Sequence, residues 1–329
     1  MIFLQFTISA ILVAFTAIQL AKYGDIIAIR SRLGRLFVGT LFMAAATSLP
    51  ELLSAINAIA QNVPDISAGD LFGSSMFNML LLAILGLIHY KERLLRKAAL
   101  KHALSGGLAV FITILVIFFI MADIDLKVGW IGMDSIIIIL AYLVSIRLLH
   151  SSSQHSEIHQ FTEIELAGIP SLGKGILGFV LSALAMVVIT PYMISNAVEI
   201  AEISGLGLTF IGTALVALVT SLPELITTIA AARIGADDMA IGNLFGSNMF
   251  NMVIVGVADL FFLQGRFLSV IDNQFLLIGM LGLLMTSMGL IGNLAKFQRR
   301  FFLLELDALM LIFTYFAGMF FLYTQVVTP

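Results

Sequence analysis

Long apolar stretches, separated by short polar clusters, run along this whole 329-residue chain. About 20 apolar residues in helical form match the thickness of a bilayer's hydrocarbon core. The pattern predicts ten such helices, at 2–21, 34–60, 66–88, 100–121, 128–149, 173–200, 207–232, 239–263, 273–294 and 303–325. The links are short. The longest, Ser151 to Leu172, is polar and is expected to be a flexible connector. The chain therefore divides into an N-terminal half at 1–150, a cytoplasmic connector at 151–172 and a C-terminal half at 173–329. The first stretch, Ile2 to Leu20, has no basic lead and no clear cleavage site. It reads as a retained helix rather than a signal peptide.

Composition points the same way. The chain is 60% hydrophobic and 11% charged, against about 25% charged in soluble domains. A water-soluble fold cannot hide that much apolar surface, so the expected solvent is lipid and the expected class is an all-α integral membrane protein. A net charge of -3 gives no basic surface for nucleic acid, and the absence of cysteine excludes a disulfide. No nucleophile set and no nucleotide-binding loop stands out, so an enzyme is not expected. No cofactor and no protein partner is indicated.

The basic residues set an orientation. Alternating the loops between two sides places Lys22, Arg30, Arg32, Arg35, Lys91, Arg93, Arg96, Lys97, Lys101, Arg147, Lys174, Arg233, Lys296, Arg299 and Arg300 on one side, and Lys127 and Arg266 on the other. By the positive-inside rule the first side is cytoplasmic. Both termini are then expected outside the membrane.

The chain also repeats itself. A shift of 173 residues lays LFVGTLFMAAATSLPEL (36–52) on TFIGTALVALVTSLPEL (209–225), and GDLFGSSMFNM (69–79) on GNLFGSNMFNM (242–252). Each half holds an odd number of predicted spans, so the two copies enter the membrane from opposite sides. This is the inverted-repeat plan of many secondary transporters, whose ion sites lie between the repeats near the midplane.

Both copies carry TSLPE: Thr47, Ser48, Leu49, Pro50 and Glu51, then Thr220, Ser221, Leu222, Pro223 and Glu224. Proline inside a helix removes a backbone donor and crowds the carbonyl four residues back. The released carbonyls near Ala46, Thr47 and Val219 can face a cation, with hydroxyls beside them. A glutamate at membrane depth costs several kcal/mol and marks function by default. The following span carries Ser74 and Asn78, then Ser247 and Asn251. Four residues is about one turn, so hydroxyl and amide share a face. The set is all oxygen, with no sulfur and no imidazole. It suits Ca²⁺, Na⁺ or Mg²⁺ rather than zinc or copper. Gly69, Gly73, Gly242 and Gly246 read as small residues that let helices approach closely.

These blocks, at about 33–82 and 206–255, resemble the α-repeats of the cation/Ca²⁺ exchanger superfamily in its sodium/calcium exchanger branch, in the compact prokaryotic form. The resemblance implies ten helices with outside termini, and alternating access in which the first and sixth helices slide against the rest. It implies that Na⁺ and Ca²⁺ are the transported ions, with Glu51 and Glu224 as central carboxylates. Thr47, Ser48, Thr220 and Ser221 would add hydroxyl and backbone oxygens. Ser74, Asn78, Ser247 and Asn251 would complete the cluster, and the carbonyls of Ala44 and Ala217 would join it.

Three departures from the family pattern stand out, at four positions. Ala46 and Val219 stand where glycine is usual, and both resist unwinding more than glycine does. Asn251 stands where some members carry aspartate. Asp70 stands where asparagine is usual and where the second copy has Asn243. Asp70, Ser74 and Asn78 fall on one helical stripe, with Asp70 about 12 Å from Asn78 along the axis. Three readings are open for Asp70: a solvated or capping residue near the start of a helix that begins at Pro64-Asp65, a group that attracts cations at an outer mouth, or a substitute third acid.

The remaining polar residues carry weaker signals. His150, His155, His159 and Glu157 read as an exposed connector, and Glu199 and Glu202 as a solvated helix end. Asp259 reads as interfacial, and the run from Arg93 to Lys101 as a topology signal against lipid head groups.

The function expected is Na⁺/Ca²⁺ antiport. H⁺/Ca²⁺ exchange on the same scaffold is the first alternative, because buried glutamates can trade protons for Ca²⁺. A cation channel or a non-transporting ion sensor is the second.

Overall fold

The computed structural model describes residues 2–61, 64–88, 94–155, 168–203, 217–295, 300–301 and 304–327. These residues form helices α1 (Ile2–Ser31), α2 (Arg35–Ala60), α3 (Pro64–Ile88), α4 (Leu94–Ala122), α5 (Met133–His155), α6 (Leu172–Ile203), α7 (Leu222–Arg233), α8 (Asp237–Ala258), α9 (Asn273–Ala295) and α10 (Leu306–Val327). Among the described residues, eight helices are long and apolar enough to cross a membrane, α7 and α10 being the two that fall short. α10 contributes a shorter apolar stretch, Leu306–Phe321. The first part of the span expected at 207–232 lies outside the described residues, as do His159 and Glu157 of the connector.

The helices differ from the hydropathy pattern mainly at their ends. α1 runs ten residues past its apolar stretch, through Lys22 and Asp25 to Ser31. Nothing between Ala21 and Arg32 breaks a helix, so the chain stays helical while its side chains turn polar. The stretch expected to begin at 128 opens instead with a hairpin, β1 (Lys127–Val128) against β2 (Ile131–Gly132). Gly129, at φ 67°, supplies the left-handed turn. A second two-residue hairpin joins β3 (Arg300–Phe301) to β4 (Leu304–Glu305).

α8 is the central post. It packs against α2, α3, α4, α5 and α7, and 89% of its most apolar stretch is enclosed, against 22% for α1 and for α6. α1 and α6 lie along one another and meet the rest of the molecule through α2 and α7. A small apolar cluster of Val13, Met193, Ala197 and Val219 joins them to α7, separate from the main core.

Two features bring α2 close to α8. Gly246 faces the backbone of Thr40, and Gly39 faces the backbone of Met239, so tightly that a β-carbon on either glycine would overlap the opposite chain. Beside these contacts the first half of α2 widens into a π-helical turn at Val38–Met43. Such turns are rare and concentrate at functional sites.

Candidate cation site

Both TSLPE motifs break their helices in the same way. α2 pauses at Ser48 (φ -90°, ψ 9°) and restarts at Leu49. α7 starts at Leu222 after an equivalent pause at Ser221 (φ -84°, ψ 3°). The cause is local. Pro50 and Pro223 fall at the start of the new helical segment, where the missing backbone N–H costs least. The interruption is narrow. Ser48 N–H still donates to Ala44 O at 3.0 Å, and Ser221 N–H to Ala217 O at 3.2 Å. The carbonyls of Ala44 and Ala217 are thus engaged by the backbone, and each also accepts from a threonine hydroxyl, Thr47 at 3.3 Å and Thr220 at 3.1 Å.

The breaks carry both glutamates into the interior, where Glu51 is 0% exposed and Glu224 1%. Thr47, Ser48, Ser74, Asn78, Thr220, Ser221, Ser247 and Asn251 are buried with them. All the polar side chains expected from the sequence are therefore enclosed, on or beside α2, α3, α7 and α8. Asp70 lies there too, 1% exposed, and accepts a hydrogen bond from Thr220 Oγ1 at 3.0 Å.

The contacts cross between the copies. Ser48 of the first motif donates to Glu224 Oε1 at 3.1 Å, and Ser247 lies 3.5 Å from the same oxygen. Thr47 Oγ1 meets Asn243 Oδ1 at 3.4 Å and Ser247 Oγ at 3.5 Å. In the other half, Ser74 Oγ meets Thr220 Oγ1 at 3.3 Å. Beside these, Asn78 Nδ2 donates to Asn248 Oδ1 at 3.0 Å, and Asn248 Nδ2 donates to Ser75 O and Thr286 Oγ1. Asn251 Nδ2 lies 3.5 Å from Ser75 Oγ.

Several buried oxygens meet no hydrogen-bond donor: both of Glu51, Glu224 Oε2, Asp70 Oδ2, Asn78 Oδ1, Asn251 Oδ1 and Ser221 Oγ. Buried polar atoms are normally satisfied, and a buried carboxylate without a partner is costly. No lysine, arginine or histidine side chain forms an ion pair with Glu51, Glu224 or Asp70 among the described residues. The cluster is a set of buried oxygens whose charge no described residue balances.

The sequence profile described as "Sodium/calcium exchanger protein" matches residues 1–149 and 174–324. The chain belongs to that family. It is 28% identical over 255 residues to the inner membrane protein YrbG of Escherichia coli (strain K12), covering 75% of this chain and 76% of that protein. It is 44% identical over 90 residues to the sodium/calcium exchanger MaX1 of Methanosarcina acetivorans, 27% of this chain and 26% of that one. Its fold matches the sodium-calcium exchanger NCX_Mj, in a structure soaked with Na⁺ and Sr²⁺, at a TM-score of 0.69 and 20% identity, covering 97% of this chain and 98% of the other. The chain is thus a multi-pass, helical membrane protein of an ion-exchanger family, a transporter rather than a catalyst.

Sequence reasoning missed Asn248, Ser75 and Thr286, whose amide and hydroxyls join α3, α8 and α9. Ser75 and Asn248 are related by the 173-residue shift and adjoin the noted serines, so the repeat itself held the signal. It also missed a second polar cluster at one end of the bundle. Arg266, 3% exposed, donates to Asp134 at 2.8 Å and to Asp123 at 3.1 Å. Asp259, read from sequence as interfacial, is 0% exposed. Its carboxylate accepts from Gly132 N–H and Phe267 N–H, each at 2.6 Å, tying the β1–β2 hairpin to the loop after α8. Glu199 is exposed, as expected of a helix end.

Proposed function

We propose that this protein is a secondary antiporter that exchanges Na⁺ for Ca²⁺ by alternating access. One observation carries the reading. Two buried glutamates, supplied by two equivalent helix breaks, stand among hydroxyl and amide oxygens, and no described cationic residue neutralises them. A hard cation from outside completes such a site. Two carboxylates balance one Ca²⁺, and the threonine and serine hydroxyls suit Na⁺.

In this reading Glu51 and Glu224 hold Ca²⁺. Thr47, Ser48, Thr220, Ser221, Ser74 and Ser247 supply the remaining contacts, and the carbonyls of Ala44 and Ala217 join them when the Thr47 and Thr220 hydroxyls turn from those carbonyls to the ion. Asn78 and Asn251 close the cluster. The chain crosses the membrane ten times, as two inverted copies with both termini outside the plasma membrane. α1 and α6, joined to α7 through a small apolar cluster, move against the rest. Na⁺ and Ca²⁺ compete for the same carboxylates, and an empty, doubly negative site crosses poorly. Cations lower the barrier only when they neutralise Glu51 and Glu224, so outward and inward movements stay coupled. Relatives with sodium and calcium in their names support this choice of ions.

The test is Ca²⁺ uptake into proteoliposomes loaded with Na⁺, compared with vesicles loaded with choline, at equal pH on both sides. Uptake that requires internal Na⁺ is the expected result. Uptake indifferent to Na⁺ but driven by an outward H⁺ gradient would replace this reading with H⁺/Ca²⁺ exchange. Non-saturating flux without a counter-ion would replace it with a channel.

A further inference from the structure

The two copies place equivalent residues around two equivalent threonines, but the two sets are not equally satisfied. Around Thr47 the polar groups close on one another. Thr47 Oγ1 meets Asn243 Oδ1, and Ser48 donates to Glu224. The Asn243 amide is used up as a donor, to Thr227 Oγ1 at 3.3 Å and Thr228 Oγ1 at 3.2 Å. Around Thr220 the same positions stay open. Ser221 Oγ has no partner where its counterpart Ser48 holds a glutamate, and both Glu51 oxygens are unpartnered. Asp70 takes the place of Asn243. One of its oxygens accepts from Thr220, and the other meets no donor. Asp70 also lies near enough to Glu51 for the two charges to act on one another.

Chemistry explains the difference. An asparagine presents one acceptor and one donor, and neighbouring hydroxyls satisfy both ends. An ionised aspartate presents only acceptors. Alanine 55 stands where the second copy has Thr228, so a hydroxyl is also missing from that side. Ser54, the counterpart of Thr227, still faces Asp70. A buried carboxylate oxygen in that position demands a positive partner.

We infer that Asp70 is a third carboxylate of the transported site, and that it makes the Thr220 side a charged subsite for a monovalent cation while the Thr47 side remains neutral apart from Glu224. Asp70, Thr220 and Ser74 supply its oxygens, with Glu51 beside them. The inference rests on the Na⁺/Ca²⁺ reading and extends it. Two glutamates balance Ca²⁺, and Asp70 balances one further Na⁺. The native protein therefore moves one more Na⁺ per Ca²⁺ than a site with two acids, and its exchange carries net charge across the membrane.

Asp70→Asn tests this with little disturbance, because the amide oxygen can still accept from Thr220. The measurement is Na⁺-driven Ca²⁺ uptake in proteoliposomes, with the membrane potential set by K⁺ and valinomycin. Wild type is expected to respond to the potential. Asp70→Asn is expected to lose that response, to move one Na⁺ fewer per Ca²⁺, and to need about tenfold more Na⁺ for half-saturation, which corresponds to about 1.4 kcal/mol. The double variant Asp70→Asn/Asn243→Asp carries the charge to the opposite nest. It is expected to regain the voltage response while the weakened Na⁺ dependence appears on the other side of the membrane. Unchanged Na⁺ half-saturation and voltage response in a folded Asp70→Asn protein would overturn the inference. Absence of Na⁺ dependence in the wild type would instead overturn the Na⁺/Ca²⁺ reading beneath it.

Discussion

Two buried charge clusters sit in this bundle, and they are built on opposite plans. At one end, Arg266 supplies a cation to Asp134 and Asp123, while two backbone N–H groups satisfy Asp259. In the middle, Glu51, Glu224 and Asp70 have no cationic partner among the described residues and keep unpartnered oxygens. Both arrangements place carboxylates away from water, Asp134 and Asp259 at the end and all three acids in the middle, where an unpaired charge costs several kcal/mol, whereas Asp123 is exposed. Where the chain provides the counter-charge, the cluster is a staple that holds the β1–β2 hairpin and the loop before α9 to the core. Where no described residue provides it, the transported cation of the proposed antiport supplies the counter-charge.

Neutralising the central carboxylates gives the largest expected effect on function. Glu51→Gln and Glu224→Gln are each expected to reduce Na⁺-driven Ca²⁺ uptake to the level of empty vesicles, with the protein still folded, because an amide removes an unbalanced charge. Full uptake by both variants would remove these residues from the site. The staple is expected to behave in the opposite way. Arg266→Met strands Asp134 and should cost about 3–5 kcal/mol of stability, read as a lower unfolding midpoint in detergent. The Na⁺ half-saturation of the protein that survives should stay at the wild-type value, and a change there would merge the two clusters into one functional unit.

Smaller effects refine the comparison. Asp259→Asn keeps an acceptor but loses charge-assisted bonds to Gly132 and Phe267, a loss of about 1.5–3 kcal/mol at most. It should destabilise without altering the response to Na⁺. The smallest change is expected at the helix break. Val219 packs with Val13 and Met193 between α7 and the α1–α6 pair. Val219→Gly should lower stability by about 1 kcal/mol through the backbone, with the lost side-chain packing adding to it, and raise the turnover rate in the flux assay. A slower variant would show that packing in this cluster, rather than backbone stiffness, limits movement.

Much of the central site was legible in the sequence because the chain states it twice. The duplicated TSLPE and S-x-x-x-N motifs mark the same buried residues that the helix breaks at Ser48 and Ser221 bring together. Asn248 was overlooked because a lone amide beside a noted serine looks like ordinary packing until its partners on α3 and α9 are known. The staple was not legible. Asp123, Asp134, Asp259 and Arg266 come from separate loops and helix ends, and no periodicity joins residues that meet only through tertiary packing. Helix ends were also hard to place. Hydropathy stops at the edge of the apolar stretch, whereas a helix such as α1 continues until the backbone is broken.

Calcium titration of the purified protein in detergent, monitored by calorimetry with and without Na⁺, tests most directly whether the missing counter-charge is the cargo. The wild type is predicted to bind Ca²⁺ and to bind it more weakly as Na⁺ rises, while a folded Glu51→Gln/Glu224→Gln protein shows no binding heat. Calcium binding of unchanged affinity in that double variant would contradict the account.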